Sequence, residues 1–411
     1  MDRFAATAAR DNIDRAIAAA HGAYGDTWQP DTLAIAPGRI ELLGNHLDYN
    51  GGPVLAAAID RFVVVASRTE SGAAPLITAT IADVPGRPTT TIDADNLRDW
   101  TNPHSPPDSI DYVRGIVAAL TGRPDLTARI PSSLAVAGDV PIGFGVSSSA
   151  ALCVGLALAL AEGFARPAAI VLLAQEAEHR AGTPCGTMDQ SASVAGGVIA
   201  FDGETLSVEH LSPSLGDLVF AVADSGVERS LGASSYPLRV EESRMALDLA
   251  RIAINPDLPN LAALDVESLD ELIEFGVLPE TLAKRARHIV EETARVAAGR
   301  EAMLAGDWAE FGRLMTASGR SSATLYEISH PRVEELVAEA LRVPGVLGAR
   351  MMGGGEGGTA LLLLPTAAVP ALESALRAGY YRTYGMADRE GLIHTCAFAP
   401  GATLVPASEL G

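Results

Sequence analysis

The feature that most limits what this chain can fold into is a glycine-rich loop opening a helix that has no polar face. Gly138-Asp-Val-Pro-Ile-Gly-Phe-Gly-Val-Ser-Ser-Ser-Ala-Ala151 runs straight into an apolar stretch over residues 150–161. A helix that is apolar all round has to sit inside a core, covered on every side. The stretch is about half the length a bilayer crossing needs, so a buried helix over 148–164 is expected. A helix that deep requires several layers of secondary structure around it.

The rest of the chain supplies candidate layers. The pattern predicts an opening helix over 3–22, with Phe4, Ala8, Ile13, Ile17 and Ala20 on one face. Strands are expected at 32–36, 54–69, 77–81, 133–137 and 197–201, and helices at 111–120 and 167–181. Residues 83–107 are rich in Pro, Thr, Asp and Asn and read as a surface excursion. Beyond residue 205 the texture changes to a strand at 218–224 and charged helices at 236–253, 279–304, 307–318 and 331–341. Strands at 359–364 and 393–397 follow. Strand and helix alternate incompletely in both halves, so the expected fold class is α+β, with domains at 1–205 and 206–411. A chain of 411 residues suits two cores.

Charge excludes several functions. The net charge is −21, which repels nucleic acid and anionic membrane, so neither is an expected partner. Lys284 is the only lysine, and it lies in Thr281-Leu-Ala-Lys-Arg-Ala-Arg-His288. A P-loop needs its GK[ST] lysine and a protein kinase needs a strand lysine, so both classes are excluded. Cys153, Cys185 and Cys396 form no CxxC pair, which supports neither a zinc site nor a disulfide framework. The N-terminus shows no signal core, and a soluble, cytoplasmic protein is expected.

Four stretches carry candidate chemistry. Pro37-Gly-Arg-Ile-Glu-Leu-Leu-Gly-Asn-His-Leu-Asp-Tyr-Asn-Gly-Gly52 packs hydrogen-bonding side chains beside glycines, as a polyol site needs, or is a polar loop with an Asn-Gly turn. In the 138–151 loop, glycines free the backbone to wrap a phosphate at a positive helix end, and serines add hydroxyls. A well-capped helix would look the same. In Glu178-His-Arg-Ala-Gly-Thr-Pro-Cys-Gly-Thr-Met-Asp-Gln190, Asp189 is either a helix N-cap or a catalytic carboxylate. Met351-Met-Gly-Gly-Gly-Glu-Gly-Gly-Thr359 suggests close backbone approach to a ligand or another segment, or a flexible turn.

In this order, the four stretches resemble the galactokinase branch of the GHMP kinase family. That family's sugar signature, PGRVNLIGEHTDYNGG, is matched by residues 37–52, and its loop P-x-G-x-G-L-S-S-S-A-A-L by residues 141–152. Its P-C-G-I-M-D-Q is matched by residues 184–190 and its G-G-G-F-G-G by residues 353–358. Weaker echoes lie at Asp111-Tyr-Val-Arg-Gly115, at 224–231 and at Ser235-Tyr-Pro-Leu-Arg239, and the likeness spans about residues 30 to 400.

The resemblance implies a two-domain GHMP kinase fold with the active site in the interdomain cleft. It implies an ATP- and Mg2+-dependent kinase acting on the anomeric hydroxyl of a galacto-configured sugar. Asp189 would be the catalytic carboxylate, and Arg39 would sit near both it and the transferring phosphoryl group. Asn45, His46, Asp48, Gly186 and Tyr236 would hold the sugar. Gly143, Gly145, Val146, Ser147, Ser148 and Ser149 would cradle the nucleotide phosphates, with Ser149 and Glu178 as magnesium ligands.

Three departures bear on that reading. Asn45 stands where the signature has a glutamate that accepts from the sugar's C6 hydroxyl. Losing that charge opens the site to a hexuronic acid, a 6-deoxyhexose or a pentose. Cys153 and Glu356 stand where the family has a glutamate and a phenylalanine. The rival classes are a non-catalytic sugar sensor on the same scaffold and a kinase for a non-sugar alcohol. Arg39, Asp189 and the full serine loop argue against the first, and His46, Asp48 and Tyr236 against the second.

Overall fold

The computed structural model describes residues 3–70, 76–84, 86, 89–102, 106–123, 130–161, 166–228 and 235–409. The first half runs α1 (Arg3–Ala8), α2 (Arg10–Tyr24), β1 (Thr32–Leu43), β2 (Pro53–Arg68), β3 (Leu76–Ile81), β4 (Thr90–Asp93), α3 (Ser109–Thr121) and β5 (Ser133–Gly138). It continues through α4 (Ser148–Leu160), α5 (Pro167–Arg180), α6 (Met188–Ala195), β6 (Val198–Asp202) and β7 (Val208–Leu211). The second half holds β8 (Leu218–Asp224), α7 (Tyr236–Ala253), α8 (Val266–Glu274), α9 (Glu280–Ala305), α10 (Trp308–Thr324) and α11 (Pro331–Ala340). It ends with β9 (Gly348–Met351), β10 (Thr359–Pro365), α12 (Val369–Ala378), α13 (Tyr380–Thr383), β11 (Ile393–Cys396) and β12 (Thr403–Pro406).

Two sheets organise these elements. The larger runs β12-β1-β2-β5-β3-β4, with β6 on the other end of β2 and β7 beside β6; the smaller runs β11-β8-β10-β9. Among the described residues, only β3 and β5 pair in parallel. Helices segregated onto mostly antiparallel sheets make this the expected α+β class. The apolar helix α4 is buried from Ala150 to Leu160, packed on β1 and β2 and flanked by α3, α5 and α6. The expected helix over 148–164 therefore ends at Leu160, and residues 162–165 lie outside the described ones.

The opening helix breaks at Ala9, and Asn12, Ile13, Ala16 and Ala20 form its buried face. The larger sheet draws strands from both sides of residue 205. β7 still belongs to the larger sheet, and β12 returns from the C-terminus to pair with β1, Thr32 opposite Pro406. The echo at 224–231 extends into residues outside the described ones. Among the described residues, no helix is long and apolar enough to cross a membrane.

Candidate active site

A cavity of about 580 Å³ lies where the two halves meet, lined by β1 and the loop after it, the 138–149 loop, α5, the start of α6, Tyr236 and Gly353. It begins with the irregularity of β1. That strand's pairing with β2 shifts register between Pro37 and Arg39 and again between Glu41 and Leu43. Bulges of this kind re-aim side chains. Here the buried Arg39 and Glu41 both reach the cavity.

Beyond the strand, His46 has a left-handed backbone (φ 63°), an uncommon conformation for a side-chain-bearing residue. The turn brings its Nδ1 within 2.7 Å of the Tyr49 hydroxyl, which pairs with Tyr326 Oη at 2.9 Å. Tyr326 Oη in turn pairs with Ser243 Oγ at 2.7 Å. The His46 ring also lies 5.3 Å from that of Tyr236. The sugar-type motif is thus tied into the second half by a buried polar chain.

The 138–149 loop turns through positive φ at Gly145 (68°), whose carbonyl accepts from Arg39 Nη1 at 2.6 Å. Thr359 Oγ1 of β10 donates to Phe144 O at 2.6 Å, so the second half braces the same loop. Ser147 occupies the N-cap position of α4 but does not cap it; its hydroxyl donates to Asp189 Oδ2. The first intrahelical bond is Ala151 N–H to Ser147 O at 3.0 Å. The amides ahead of it have no intrahelical acceptor, and Ser148 and Ser149 line the cavity there, which suits an anion. Val146 is not brought to the cavity: its side chain is buried in the core and its carbonyl accepts from Arg39 N–H at 3.0 Å.

Asp189 does not cap α6: it is the second residue of that helix, inside it. Arg39 grips it instead, Nε donating to Oδ1 at 2.7 Å and Nη2 to Oδ2 at 2.6 Å. The arginine is buried, whereas the aspartate side chain is 26% exposed, toward the cavity. The fork fits a carboxylate in two-point contact and fixes both groups.

Glu178 of α5 is buried beside Ser149, with which it hydrogen-bonds, and accepts from Gln190 Nε2. Burial pushes its carboxyl up to about 7. A hydroxyl and a carboxylate side by side are hard oxygen donors that fit Mg2+, which keeps waters and phosphate oxygens for its remaining positions. Cys153 is also buried; burial first, then the Glu178 charge, raises its thiol well above the usual range.

At the opposite end of the cavity, Asp48 is raised to about 7 by burial first, then by the Asp189 and Glu41 charges. A Cβ at Gly186 would overlap Asp48 Oδ2, so any larger residue there must displace that carboxylate. Asn45 borders the cavity but is fully buried and engaged elsewhere. Its Nδ2 donates to Glu41 Oε1 at 3.2 Å and to Gly353 O at 3.0 Å, and its Oδ1 accepts from Ser322 Oγ at 2.9 Å. Glu356, with φ 59°, accepts from Ser235 N–H at 3.1 Å through Oε1 and so anchors the start of α7, where Tyr236 stands. Lys284 is remote from the cavity and bridges Glu280 and Glu327.

Sequence reasoning missed Glu41, Arg350, Tyr49 and Tyr326. Arg350 of β9 is fully buried and donates through Nη2 to Glu41 Oε1 at 2.6 Å and Glu41 O at 2.8 Å. Nothing local marks Arg350, whereas Tyr326 lies in Leu325-Tyr-Glu-Ile-Ser329, a segment that resembles the family but names no role for the tyrosine. Glu41 did carry a signal, standing where the sugar signature has asparagine.

Comparison with known proteins agrees with the geometry. Family models match for the galactokinase galactose-binding signature over residues 21–69, the GHMP kinase N-terminal domain over 111–197 and the GHMP kinase C-terminal domain over 300–382. The chain is 35% identical to a galactokinase of Chloroflexus aurantiacus, covering 92% of this chain and 95% of the relative. It is 35% identical to that of Homo sapiens, covering 83% and 86%. Among solved structures, Lactococcus lactis galactokinase complexed with galactose matches with a TM-score of 0.83 at 27% identity, covering 95% of this chain and 99% of that one.

Proposed function

The chain belongs to the galactokinase branch of the GHMP kinase family, and from that premise we propose that it phosphorylates the anomeric hydroxyl of galactose with ATP, giving galactose 1-phosphate and ADP. The observation that carries this is the Arg39–Asp189 pair. A carboxylate fixed by an arginine stands at the mouth of a phosphate-type loop, within one cavity that also collects His46, Asp48 and Tyr236.

In the transfer, the bond from the sugar's O1 to the γ-phosphorus forms, the bond from that phosphorus to the bridging oxygen of ADP breaks, and O1 loses its proton. Asp189 orients O1 and accepts that proton. Three of the five guanidinium N–H groups of Arg39 are spent on Asp189 and Gly145, which leaves two for the phosphoryl oxygens. Positioning and charge neutralisation supply most of the catalysis in such reactions. The α4 amides at Ser148 and Ser149 hold phosphate oxygens. Ser149 and Glu178 hold Mg2+, which when bound neutralises phosphate charge.

Asp48, His46, Tyr236 and the backbone at Gly186 hold sugar hydroxyls. The opening toward hexuronic acids that Asn45 suggested is not favoured, because Glu41 returns a carboxylate to the same wall. The three cysteines are all unpaired, which supports a reducing cytoplasm as its location. The test is ADP release from ATP with galactose and Mg2+, with and without excess EDTA. Turnover that EDTA leaves intact overturns the magnesium assignment, and no turnover with galactose overturns the proposal.

A further inference from the structure

We infer that Glu41, and not residue 45, supplies the carboxylate that reads the far end of the sugar, accepting from the C6 hydroxyl through Oε2. The inference rests on the galactose-kinase reading. Against the signature PGRVNLIGEH, this chain carries glutamate at position 41 and asparagine at position 45, so the two residue types have changed places.

The structure shows why that exchange conserves a function. Asn45 Nδ2 donates to Glu41 Oε1 at 3.2 Å, so the Glu41 carboxylate lies one hydrogen bond from residue 45's own side chain. Asn45 is engaged on both sides of its amide and turned into the protein. Glu41 lines the cavity. Its Oε1 is filled by Asn45 and Arg350, while Oε2 has no hydrogen-bond partner among the described residues.

Arg350 supplies the charge that makes such a carboxylate tolerable. The pair is buried, Arg350 fully and Glu41 at 5% exposure. Nε and Nη1 of Arg350 have no partner among the described residues, so its only anion contact there is Glu41. Oε2 therefore faces the cavity without a donor among the described residues, which leaves it free to accept from a substrate hydroxyl. A C6 methyl leaves that bond unmade, and a C6 carboxylate is repelled. The competing account is that Glu41 serves only as counter-charge to Arg350. That account predicts equal losses for every sugar.

The experiment compares kcat/KM for galactose and 6-deoxygalactose in the wild type, E41Q, N45E and E41N/N45E. The ratio of the two sugars within one protein is independent of the fraction folded. Wild type should prefer galactose by about 10-fold or more, and E41Q should lower that preference about 5- to 10-fold. N45E puts two carboxylates in contact and should bind galactose worst of the four, while E41N/N45E should restore the preference. A ratio unchanged in E41Q overturns the inference.

If E41Q fails to fold, E41D keeps the charge beside Arg350 and withdraws the carboxylate by one methylene. Its ratio should fall likewise, and an unchanged ratio again overturns the inference. Calorimetric affinities for the two sugars give the same ratio without turnover. A protein that binds galactose but does not phosphorylate it therefore counts against the kinase reading alone, and the binding ratio decides on Glu41.

Discussion

Replacing Asp189 with asparagine separates two roles that one carboxylate plays. In the wild type it accepts from Arg39 Nε at 2.7 Å, from Nη2 at 2.6 Å and from the Ser147 hydroxyl. Asparagine offers a single oxygen and turns an amide toward donors, so at least one charge-assisted bond is lost and Arg39 keeps its charge without a counter-ion. Breaking a fully buried pair costs about 3–5 kcal/mol. The Asp189 side chain is 26% exposed, so solvent relieves part of this and about 2–3 kcal/mol is expected. At about 2–4 °C per kcal/mol, Tm should fall by about 5–10 °C. A role in orienting O1 and taking its proton adds a separate kinetic loss of at least ~10² in kcat, about 2.7 kcal/mol. Thermal melts give the first quantity. Active-site-normalised initial rates at a temperature where Asp189→Asn is folded give the second. A folded variant with the expected loss of stability and near-normal kcat would show that Asp189 only neutralises Arg39, and the catalytic assignment would fall.

Gly186→Ala should lower kcat/KM for galactose ~10-fold or more, since its methyl displaces the Asp48 carboxylate; unchanged kinetics would remove Asp48 from the sugar site. Asp48 also predicts a pH dependence of stability. Its folded value of about 7 lies above the ordinary 3.8, so the native state keeps a proton that the unfolded chain has released. The resulting penalty grows between about pH 4 and 7 and is complete above 7, at roughly 1.4 kcal/mol per unit. Asp48→Asn should therefore gain Tm relative to the wild type at pH 8 but not at pH 4, and a difference independent of pH would refute this. Glu356→Ala should raise KM for galactose about 3- to 10-fold by releasing Ser235 N–H ahead of Tyr236, while Glu356→Gln keeps an acceptor oxygen and stays near wild type. Equal kinetics in both variants would remove that anchoring role.

Local pattern gave most of the longer helices and most strands, because apolar periodicity is a local quantity, but it left α8, α12 and α13 and the strands β4, β7, β9 and β12 unassigned. The sequence reading ends the first strand at Ala36, before Pro37-Gly38. In the structure the chain passes through that pair as a bulge and stays buried to Leu43. What stayed illegible depends on pairs distant in sequence. Arg350 meets Glu41 across 309 residues, and the meeting of Arg39 with Asp189 across 150 is placed by the family resemblance and by no local pattern. The cap alternative for Asp189 falls because the residue lies inside α6, where Arg39, distant in sequence, holds its carboxylate. The return of β12 to β1 is equally invisible to any window of sequence. Motif order did carry the cavity, because the cavity is built mostly from the 37–52, 138–149 and 178–190 stretches.

The central claim is anomeric phosphorylation of a galacto-configured sugar, and ADP release from ATP across a sugar panel tests it most directly. The panel is galactose, glucose, N-acetylgalactosamine, galacturonate, arabinose and fucose, with mevalonate and homoserine as non-sugar alcohols, and the product position is read by phosphorus NMR. The account predicts the highest kcat/KM with galactose, phosphate on C1, and no turnover in excess EDTA. Galactose binding without phosphate transfer, or a higher kcat/KM for a non-sugar alcohol, would contradict it.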